Sequence, residues 1–231
     1  MPIMTFPYQL IDLTHTLDSS VPTWNGGCGF NHEIHLDYPD CQGTDKFRVM
    51  QINMHAGIGT HIDAPSHCFV DGKAIDNFEL DDLCMPGFII DVSDKAHENY
   101  SLTSEDIIAF EATHGVIPQN SCVIVKTGWE KFWNHPEKYR NNHVFPCVSP
   151  EAASLLLERN IAALGIDTLS PDRPENGFPV HRLLLGAGKI LIENAAHLDN
   201  MPPKGAYVMI LPMKIKNGTE APIRLVGLLE K

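Results

Sequence analysis

The stretch HAGIGTHIDAPSHCF, residues 55–69, brings three histidines and one aspartate together within fifteen residues. Imidazole and carboxylate groups are costly to bury without partners, and here glycines and a proline that let the backbone bend separate them. In an extended strand alternate side chains point to the same face, so His61 and Asp63 would lie about 7 Å apart at the backbone. This spacing predicts that both side chains can reach one metal ion.

The residues around this pair decide whether the site is larger. Pro65 predicts a turn that folds His67 back toward His61 and Asp63. His55 has the same parity, but along a straight strand it would lie about 20 Å from His61, so it reaches the ion only if the segment GIG turns the chain. A single His-x-Asp pair is more often an ordinary strand pair than a metal site. The surrounding Gly-Thr and Ala-Pro-Ser-His residues favour the metal site.

The composition is that of an ordinary folded protein, with 231 residues of which 43% are hydrophobic and 20% charged. The net charge of -12 has the wrong sign for binding nucleic acid or an anionic membrane, so we expect neither partner. Six cysteines without a CxxC pair favour buried, reduced thiols. The start of the chain has neither a basic leader nor an apolar span, which predicts a cytoplasmic location.

Local patterns predict a mixed sheet with flanking helices. Ser or Thr caps and early acids predict helices in SLTSEDIIAFEATHG and SPEAASLLLERN, and VPTWNGGCGF is typical of a loop. Alternating or β-branched apolar runs predict strands in YQLIDLTHTL, FRVMQINMHAG, GFIIDVS, SCVIVKTG, IAALGIDT, ILIEN, AYVMILPMKI and PIRLVGLLE. No repeat or linker interrupts them, so we predict one α+β domain over residues 1–231.

The histidine stretch resembles the signature of the metal-dependent cyclase family, His-x-Gly-Thr-His-x-Asp-x-Pro-x-His, a family that includes bacterial kynurenine formamidase and isatin hydrolase. The segments IDLTHTL, VKTGW, GIDTLSPD and ILIENAAHLDNMP follow in the order typical of that family. The resemblance therefore extends across nearly the whole chain. It implies a swivelling β/β/α fold and assembly as a homodimer or homotetramer.

The resemblance also implies a zinc or manganese site. Position by position, the implied ligands are His61, Asp63, His67, His181 and Glu193. Glu193 is unusual on its own terms, because it ends the apolar run ILIE, where a carboxylate is costly to bury unless it is paired or bound to metal.

One position departs from the signature, since the first signature histidine falls at Gly57. Two hypotheses follow. Either a mononuclear site uses His61, Asp63 and some of the other ligands, or His55 swings in to rebuild the site. One ion is favoured over two because of Gly57.

The activity implied by the resemblance is hydrolysis of a C–N amide or formamide bond in a small aromatic or cyclic substrate, with N-formylkynurenine, the arylformamidase substrate of tryptophan catabolism, as the reference. His67 and Glu193 are the candidate catalytic residues, with His67 as the acid/base. Trp24 and Phe30 are candidates to line the substrate pocket. The alternatives are hydrolysis of an isatin-type lactam or cyclic ester, and a catalytically silent protein that binds a metal or small molecule.

Other side chains near these segments are candidates for supporting roles. Thr60 and Thr168 could orient ligands through hydrogen bonds. Asp167 could do the same or cap the loop that follows it. No GxSxG elbow, phosphate-binding loop or dinucleotide fingerprint suggests a different chemistry.

Overall fold

The computed structural model describes residues 6–231 and contains twelve strands and four α-helices within that range. The strands are β1 (Tyr8–Asp12), β2 (Phe30–Leu36), β3 (Val49–Met54), β4 (His61–Asp63), β5 (Cys84–Asp91), β6 (Ser101–Leu102), β7 (Cys122–Lys126), β8 (Cys147–Val148), β9 (Ala163–Ile166), β10 (Ile190–Glu193), β11 (Ala206–Pro212) and β12 (Glu220–Glu230). The helices are α1 (Ser104–His114), α2 (Pro136–Arg140), α3 (Pro150–Glu158) and α4 (Pro179–Gly186).

Eight of the strands form one mixed sheet in the order β1-β12-β11-β5-β7-β9-β10-β4. Because β4 also pairs with β12, the sheet closes into a barrel. Strands β5, β7, β9 and β10 run parallel to their neighbours in that series, and the remaining pairings of this sheet are antiparallel. The mixed sheet with few helices is confirmed, while the swivelling β/β/α type and the single domain over residues 1–231 stay predictions.

The alternating side chains of β7 show why the parallel strands are apolar throughout. Cys122 and Ile124 belong to one buried cluster and Val123 and Val125 to another. The second cluster includes residues of α1, α3 and α4, so the helices cover one face of the sheet. A strand buried on both faces needs apolar residues at every position, as the sequence SCVIVKTG predicted.

The predicted helix starts are confirmed. The Thr103 side chain accepts a hydrogen bond from the backbone N–H of Asp106 at the start of α1. Ser149 accepts one from the N–H of Ala152 at the start of α3, where Pro150 takes the first helical position. Both side chains satisfy backbone donors that the first helical turn leaves free.

A two-stranded antiparallel sheet, the β2–β3 hairpin, lies outside the barrel sheet. The sequence pattern predicted β3, but β2 was missed because its residues after Phe30 are largely polar. In the register of the hairpin, Ile34 lies opposite Met50. Ile34, Met50 and Ile52 are 50%, 47% and 57% exposed, so the hairpin presents apolar side chains to solvent.

The cysteines are all free, as expected, but their burial differs from the expectation. Cys122 and Cys147 are buried, whereas Cys28, Cys68 and Cys84 are exposed. The prediction of buried thiols is wrong for these three, because Cys28 and Cys68 lie outside the sheets and Cys84 begins β5. None of the helices in residues 6–231 is long and apolar enough to cross a membrane.

Candidate metal centre

Strand β4 lies between β10 and β12, and its register with both strands builds the site. His61 is opposite Glu193 on β10, and Asp63 is opposite Glu220 on β12. Side chains directly opposite each other in adjacent strands project to the same face of a sheet. Two residues of the histidine stretch therefore meet two carboxylates that are distant in sequence.

His61 presents one ring nitrogen to this cluster. Its Nε2 lies 3.3 Å from Glu193 Oε2 and 3.6 Å from Asp63 Oδ1. Its Nδ1 lies 2.8 Å from the carbonyl oxygen of Gly59, which can only accept a hydrogen bond, so Nδ1 carries the proton. This contact fixes the ring orientation and leaves Nε2 as the possible metal ligand.

His181 enters the cluster from the first turn of α4. Its Nε2 lies 3.6 Å from both Asp63 Oδ2 and Glu193 Oε1. Its Nδ1 donates to Asp172 Oδ2 at 2.8 Å. Asp172 also accepts hydrogen bonds from the backbone N–H groups of Val180 and His181, at 3.0 and 2.9 Å. One carboxylate therefore holds the start of the helix and orients the imidazole.

Asp172 was not among the residues chosen from the sequence, although it lies in the quoted segment GIDTLSPD. Histidines that bind metals usually donate their second ring N–H to a carboxylate or carbonyl. An acidic residue shortly before the helix that carries a candidate histidine could have predicted such a partner. The spacing alone did not show which acid of the chain would serve.

His67 lies in the turn Pro65–His67 after β4, as the sequence predicted. Its Nδ1 is 3.4 Å from Glu220 Oε2, and a third of its side chain is exposed. A group of possible ligands can be formed with one donor atom each from Asp63, His67 and His181. These three atoms lie within 4.8 Å of one another. All five ligands chosen from the sequence line one cavity, and their roles as ligands stay predictions.

Hydrogen bonds around the cluster hold β4 against the end of β10. The hydroxyl of Thr60 donates to the carbonyl oxygen of Asn194 at 2.6 Å. The Asn194 side chain donates to the carbonyl oxygen of Gly59 at 2.8 Å, and Tyr139 donates to its Oδ1 at 2.9 Å. The expected supporting role of Thr60 is thus exerted on the backbone next to Glu193.

The other two supporting candidates act elsewhere. Asp167 accepts hydrogen bonds from the backbone N–H groups of Thr127, Gly128 and Trp129, so it caps the turn after β7 rather than the loop that follows it. Burial, partly offset by the Thr127 hydrogen bonds, raises the pKa of Asp167 to about 6. The Thr168 hydroxyl donates to the carbonyl oxygen of Ser170 at 2.8 Å rather than to a candidate ligand.

The carboxylates of the cluster favour positive charge on its imidazoles. Burial disfavours charge on His181, but hydrogen bonds to Asp172 and Asp63 outweigh it and raise its pKa to about 11. Burial also disfavours charge on His61, but the nearby carboxylates of Glu193 and Asp63 outweigh this effect and raise the pKa of His61 to about 9. A divalent cation meets the same electrostatic demand, and its binding would release the competing protons.

The donor set fits a zinc or manganese ion. Asp63 Oδ1 is buried and has no hydrogen-bond partner among residues 6–231, which is costly for a carboxylate unless a cation lies against it. Besides the group of Asp63, His67 and His181, donor atoms of His61, Asp63 and Glu220 also lie within 4.8 Å of one another. Imidazole nitrogen together with carboxylate oxygen is a set that both metals accept.

The cavity that contains the cluster has a volume of about 290 Å³ and includes Trp24, Leu169 and Phe178 in its walls. The choice of Trp24 is consistent with this geometry, but that of Phe30 is not. Phe30 is buried in a cluster with Val21 and Ile58, because it begins β2 where the hairpin meets the body of the protein. His55 also does not line the cavity.

Comparison with known proteins identifies the family. The cyclase family model matches residues 11–173, more than half of the chain. The chain belongs to the cyclase family. Among its cyclase relatives, isatin hydrolase of Roseibium aggregatum is 33% identical over 192 residues, which cover 75% of this chain and 72% of that protein. Kynurenine formamidase of Salinibacter ruber is 25% identical over 229 residues, which cover 94% and 96% of the two chains.

Solved structures of cyclase-family proteins share the fold. Isatin hydrolase A from Labrenzia aggregata, bound to benzyl benzoate, superposes with a TM-score of 0.87 at 32% identity and covers 97% of this chain and 95% of that chain. A Bacillus stearothermophilus protein described as a predicted metal-dependent hydrolase superposes with a TM-score of 0.73 at 25% identity and covers 96% of this chain and 98% of that chain. This cyclase-family protein is a metal-dependent amidohydrolase.

Proposed function

We propose that the enzyme hydrolyses the C–N bond of a formamide or amide in a small aromatic or cyclic substrate. The observation that carries this proposal is a single cavity of about 290 Å³ that combines the histidine and carboxylate cluster with Trp24 and Phe178. An apolar cavity with a few convergent polar groups is the usual form of a small-molecule site. Its volume suits a substrate with one or two rings.

The metal centre of this proposal is built by residues from three parts of the fold. His61 and Asp63 come from β4, Glu193 from β10 and His181 from α4. We favour one zinc or manganese ion held by these residues, with His67 as a further candidate. Such an ion supplies a water of lowered pKa and polarises a carbonyl oxygen.

His67 has the position and the charge for proton transfer. It is the most exposed of the candidate ligands, and its hydrogen bond to Glu220 raises its pKa despite partial burial. A raised pKa keeps the imidazolium form available near neutral pH. Cleavage of a C–N bond leaves a nitrogen that needs a proton, and His67 can donate it from the edge of the cavity.

The aromatic wall is held in place before any substrate binds. The Trp24 ring stacks on His143 with ring centroids 4.1 Å apart, and its centroid is 5.9 Å from that of Phe178. The His143 Nε2 also lies 2.8 Å from the carbonyl oxygen of Trp24. A preorganised flat surface lowers the ordering cost of binding an aromatic ring.

N-formylkynurenine is the reference substrate, because kynurenine formamidase relatives align with 94% of the chain. An isatin-type lactam is the second candidate, and it is favoured by the higher identity of 33% to isatin hydrolase. Both substrates contain an amide carbon bonded to nitrogen and an aromatic ring. The proposed chemistry is the same for either bond.

The test is to measure turnover of N-formylkynurenine and isatin, with metal content per chain, before and after chelation. We expect chelator-sensitive hydrolysis of at least one substrate and its loss in His61→Ala. The exposed His135 provides the control, since His135→Ala should keep wild-type turnover. Hydrolysis that survives complete removal of the metal would contradict the proposal. Stoichiometric metal without turnover of either substrate would instead support the silent binding alternative.

We also propose that the protein is a homodimer assembled through the β2–β3 hairpin. The exposed side chains of Ile34, Met50 and Ile52 support this, because large apolar groups clustered on a projecting hairpin are typical of protein interfaces. A second copy is the simplest partner, since a two-fold interface buries the same patch on both chains. A cytoplasmic location stays a prediction.

A further inference from the structure

The backbone conformation at position 57 does not require glycine. Its φ lies outside the left-handed region that favours glycine, so an ordinary residue could adopt its conformation. The obstacle is the carboxylate of Glu220. A Cβ placed on Gly57 would overlap Glu220 Oε1 and would lie 3.1 Å from Glu220 Cδ and 3.2 Å from His61 Nε2.

The Glu220 carboxylate therefore occupies the space beside His61 that a side chain at position 57 would enter. The signature pattern has a histidine at that position, and this chain has none. Glu220 reaches the space from the opposite direction, because it is the first residue of β12 and lies opposite Asp63. The hydrogen bond from the Ala64 N–H to the Thr219 carbonyl oxygen, 2.9 Å long, anchors the backbone next to it.

A second observation shows that this space is suited to a cation. Within the part of the chain that the structure describes, Asp63 Oδ1 is buried without a hydrogen-bond partner, and Asp63 lines the same cavity as Glu220. Donor atoms of His61, Asp63 and Glu220 lie within 4.8 Å of one another. Three donors that converge in this way, two of them on buried residues, form a partial coordination sphere.

We propose that Glu220 is a metal ligand that replaces the side chain missing at Gly57, so that β12 completes the site in place of the signature segment. This inference rests on the proposed metal-dependent function. The exchange replaces a neutral imidazole by a carboxylate, beside the carboxylates of Asp63 and Glu193. Carboxylate-rich sites suit manganese better than nitrogen-rich sites do.

The alternative role for Glu220 is to hold His67, whose Nδ1 is 3.4 Å away. The two roles differ in what can replace the carboxylate. A histidine at position 57 would stand next to His61 and could bind the ion, but it could not restore an acceptor for His67 on β12. Combining Gly57→His with Glu220→Ala therefore distinguishes the two roles of Glu220.

The experiment titrates metal-stripped, full-length protein with Mn²⁺ and Zn²⁺ in competition with a chromophoric chelator. We expect Glu220→Ala to weaken binding by roughly tenfold or more, since even residues that only orient ligands give losses of that size. Adding Gly57→His to Glu220→Ala should recover most of the loss and raise the preference for Zn²⁺ over Mn²⁺. The control is Glu230→Ala, which removes an exposed acid at the far end of the same strand.

A second variant guards against loss of folding in Glu220→Ala. Gly57→Ala places a methyl group against the flexible end of the Glu220 side chain, so it should displace the carboxylate and weaken binding while Glu220 remains. Circular dichroism and thermal unfolding of the metal-free proteins show whether each variant is folded.

Each outcome has a distinct meaning. Wild-type affinity in folded Glu220→Ala or Gly57→Ala would overturn the inference and leave the proposed function intact. A loss in Glu220→Ala that Gly57→His does not recover would assign Glu220 to His67 and also overturn it. Failure of the wild-type protein itself to bind either ion would remove the proposed function and the inference together.

Discussion

At the scale of single residues, Asp172 shows how one carboxylate serves structure and chemistry together. It accepts two backbone N–H groups at the start of α4 and the Nδ1–H of His181. The helix start and the orientation of the imidazole therefore depend on the same side chain. A change that keeps the size of this side chain but removes one of its acceptors therefore affects both roles.

We predict that Asp172→Asn lowers metal affinity by roughly 10–100-fold, the usual effect of losing an acceptor behind a ligand histidine. Asparagine has one acceptor oxygen where aspartate has two, so a backbone N–H of Val180 or His181 loses its acceptor, and the free energy of unfolding of the metal-free protein should fall as well. Chelator competition and urea unfolding measure the two quantities. The exposed Asp94 provides the control variant, Asp94→Asn, and equal affinities of the two variants would contradict the prediction.

His15 is a buried histidine that lies outside the cavity of the metal centre. Its ring stacks on Trp133 with centroids 3.7 Å apart, and its Nε2 has no hydrogen-bond partner in the described residues. Burial, reinforced by the nearby His197, lowers its pKa to about 3. The folded protein therefore keeps His15 neutral at a pH at which the unfolded chain would protonate it.

The pKa of His15 is lower in the folded state than the 6.5 of the free side chain. Its contribution to stability is therefore present above pH 6.5 and is lost as the pH falls from there toward 3. Between about pH 7 and about pH 5 this effect lowers the free energy of unfolding by roughly 2 kcal/mol.

We predict that His15→Phe, which keeps an aromatic ring against Trp133, reduces the fall in stability on acidification by about that amount. Urea unfolding of the metal-free proteins near both pH values measures it, and other titrating groups cancel in the comparison. His135→Phe, at an exposed histidine, should retain the wild-type fall. An unchanged fall in His15→Phe would show that His15 is not the group responsible.

At the scale of single elements, the start of α1 is held by a reciprocal cap. Thr103 accepts from the backbone N–H of Asp106, and the Asp106 side chain accepts from the backbone N–H of Thr103 at 2.8 Å. α1 covers the sheet through the buried Ile107 and Phe110. The stability of this end of the helix is thus linked to the packing of the second core cluster.

We predict that Thr103→Ala lowers the free energy of unfolding by about 1 kcal/mol, the typical effect of removing an N-cap side chain. Thr113→Ala is the matched control, because Thr113 lies near the end of the same helix and donates only to the carbonyl oxygen of Ala109. It should be neutral or slightly stabilising, since alanine is the better helix former. The prediction is wrong if urea unfolding gives both variants the same loss.

At the scale of the whole molecule, the β2–β3 hairpin forms a small sheet of its own outside the closed barrel sheet. The base of the hairpin is buried at Phe30, whereas Ile34, Met50 and Ile52 are exposed farther along it. Apolar groups of this size on a projecting element gain free energy when a partner covers them. The hairpin therefore connects the fold of one chain to the proposed dimer.

We predict that Ile34→Lys combined with Ile52→Lys converts the dimer to a monomer, because the charged groups would lose hydration at the interface. Light scattering coupled to size exclusion measures the mass in solution. Ile108→Lys is the control, since Ile108 on α1 is a similarly exposed isoleucine, at 55%. A dimer that persists with both hairpin changes would place the interface elsewhere.

The elements that local patterns determine were predicted correctly from the sequence. The apolar runs of β5, β7 and β9, the caps of α1 and α3 and the cluster in residues 61–67 depend on residues within a few positions of one another, so their spacing is visible in one dimension. Strand β2 was missed because its polar residues resemble the preceding loop. The structure places Phe30 in a separate buried cluster, because residue type alone does not show which core or cavity an aromatic side chain enters.

The tertiary structure alone decided how the site is completed. Asp172 became the partner of His181 only when the loop after β9 met the start of α4. Glu220 reached Asp63 only because the sheet closes between β4 and β12, which sets a register between segments far apart in sequence. Closure of the sheet depends on contacts between segments far apart in sequence, so no local sequence pattern predicts it. Local patterns in the sequence therefore pointed to the candidate ligands His61, Asp63 and His67, and the family resemblance pointed to His181 and Glu193, whereas closure of the sheet brought Glu220 beside them.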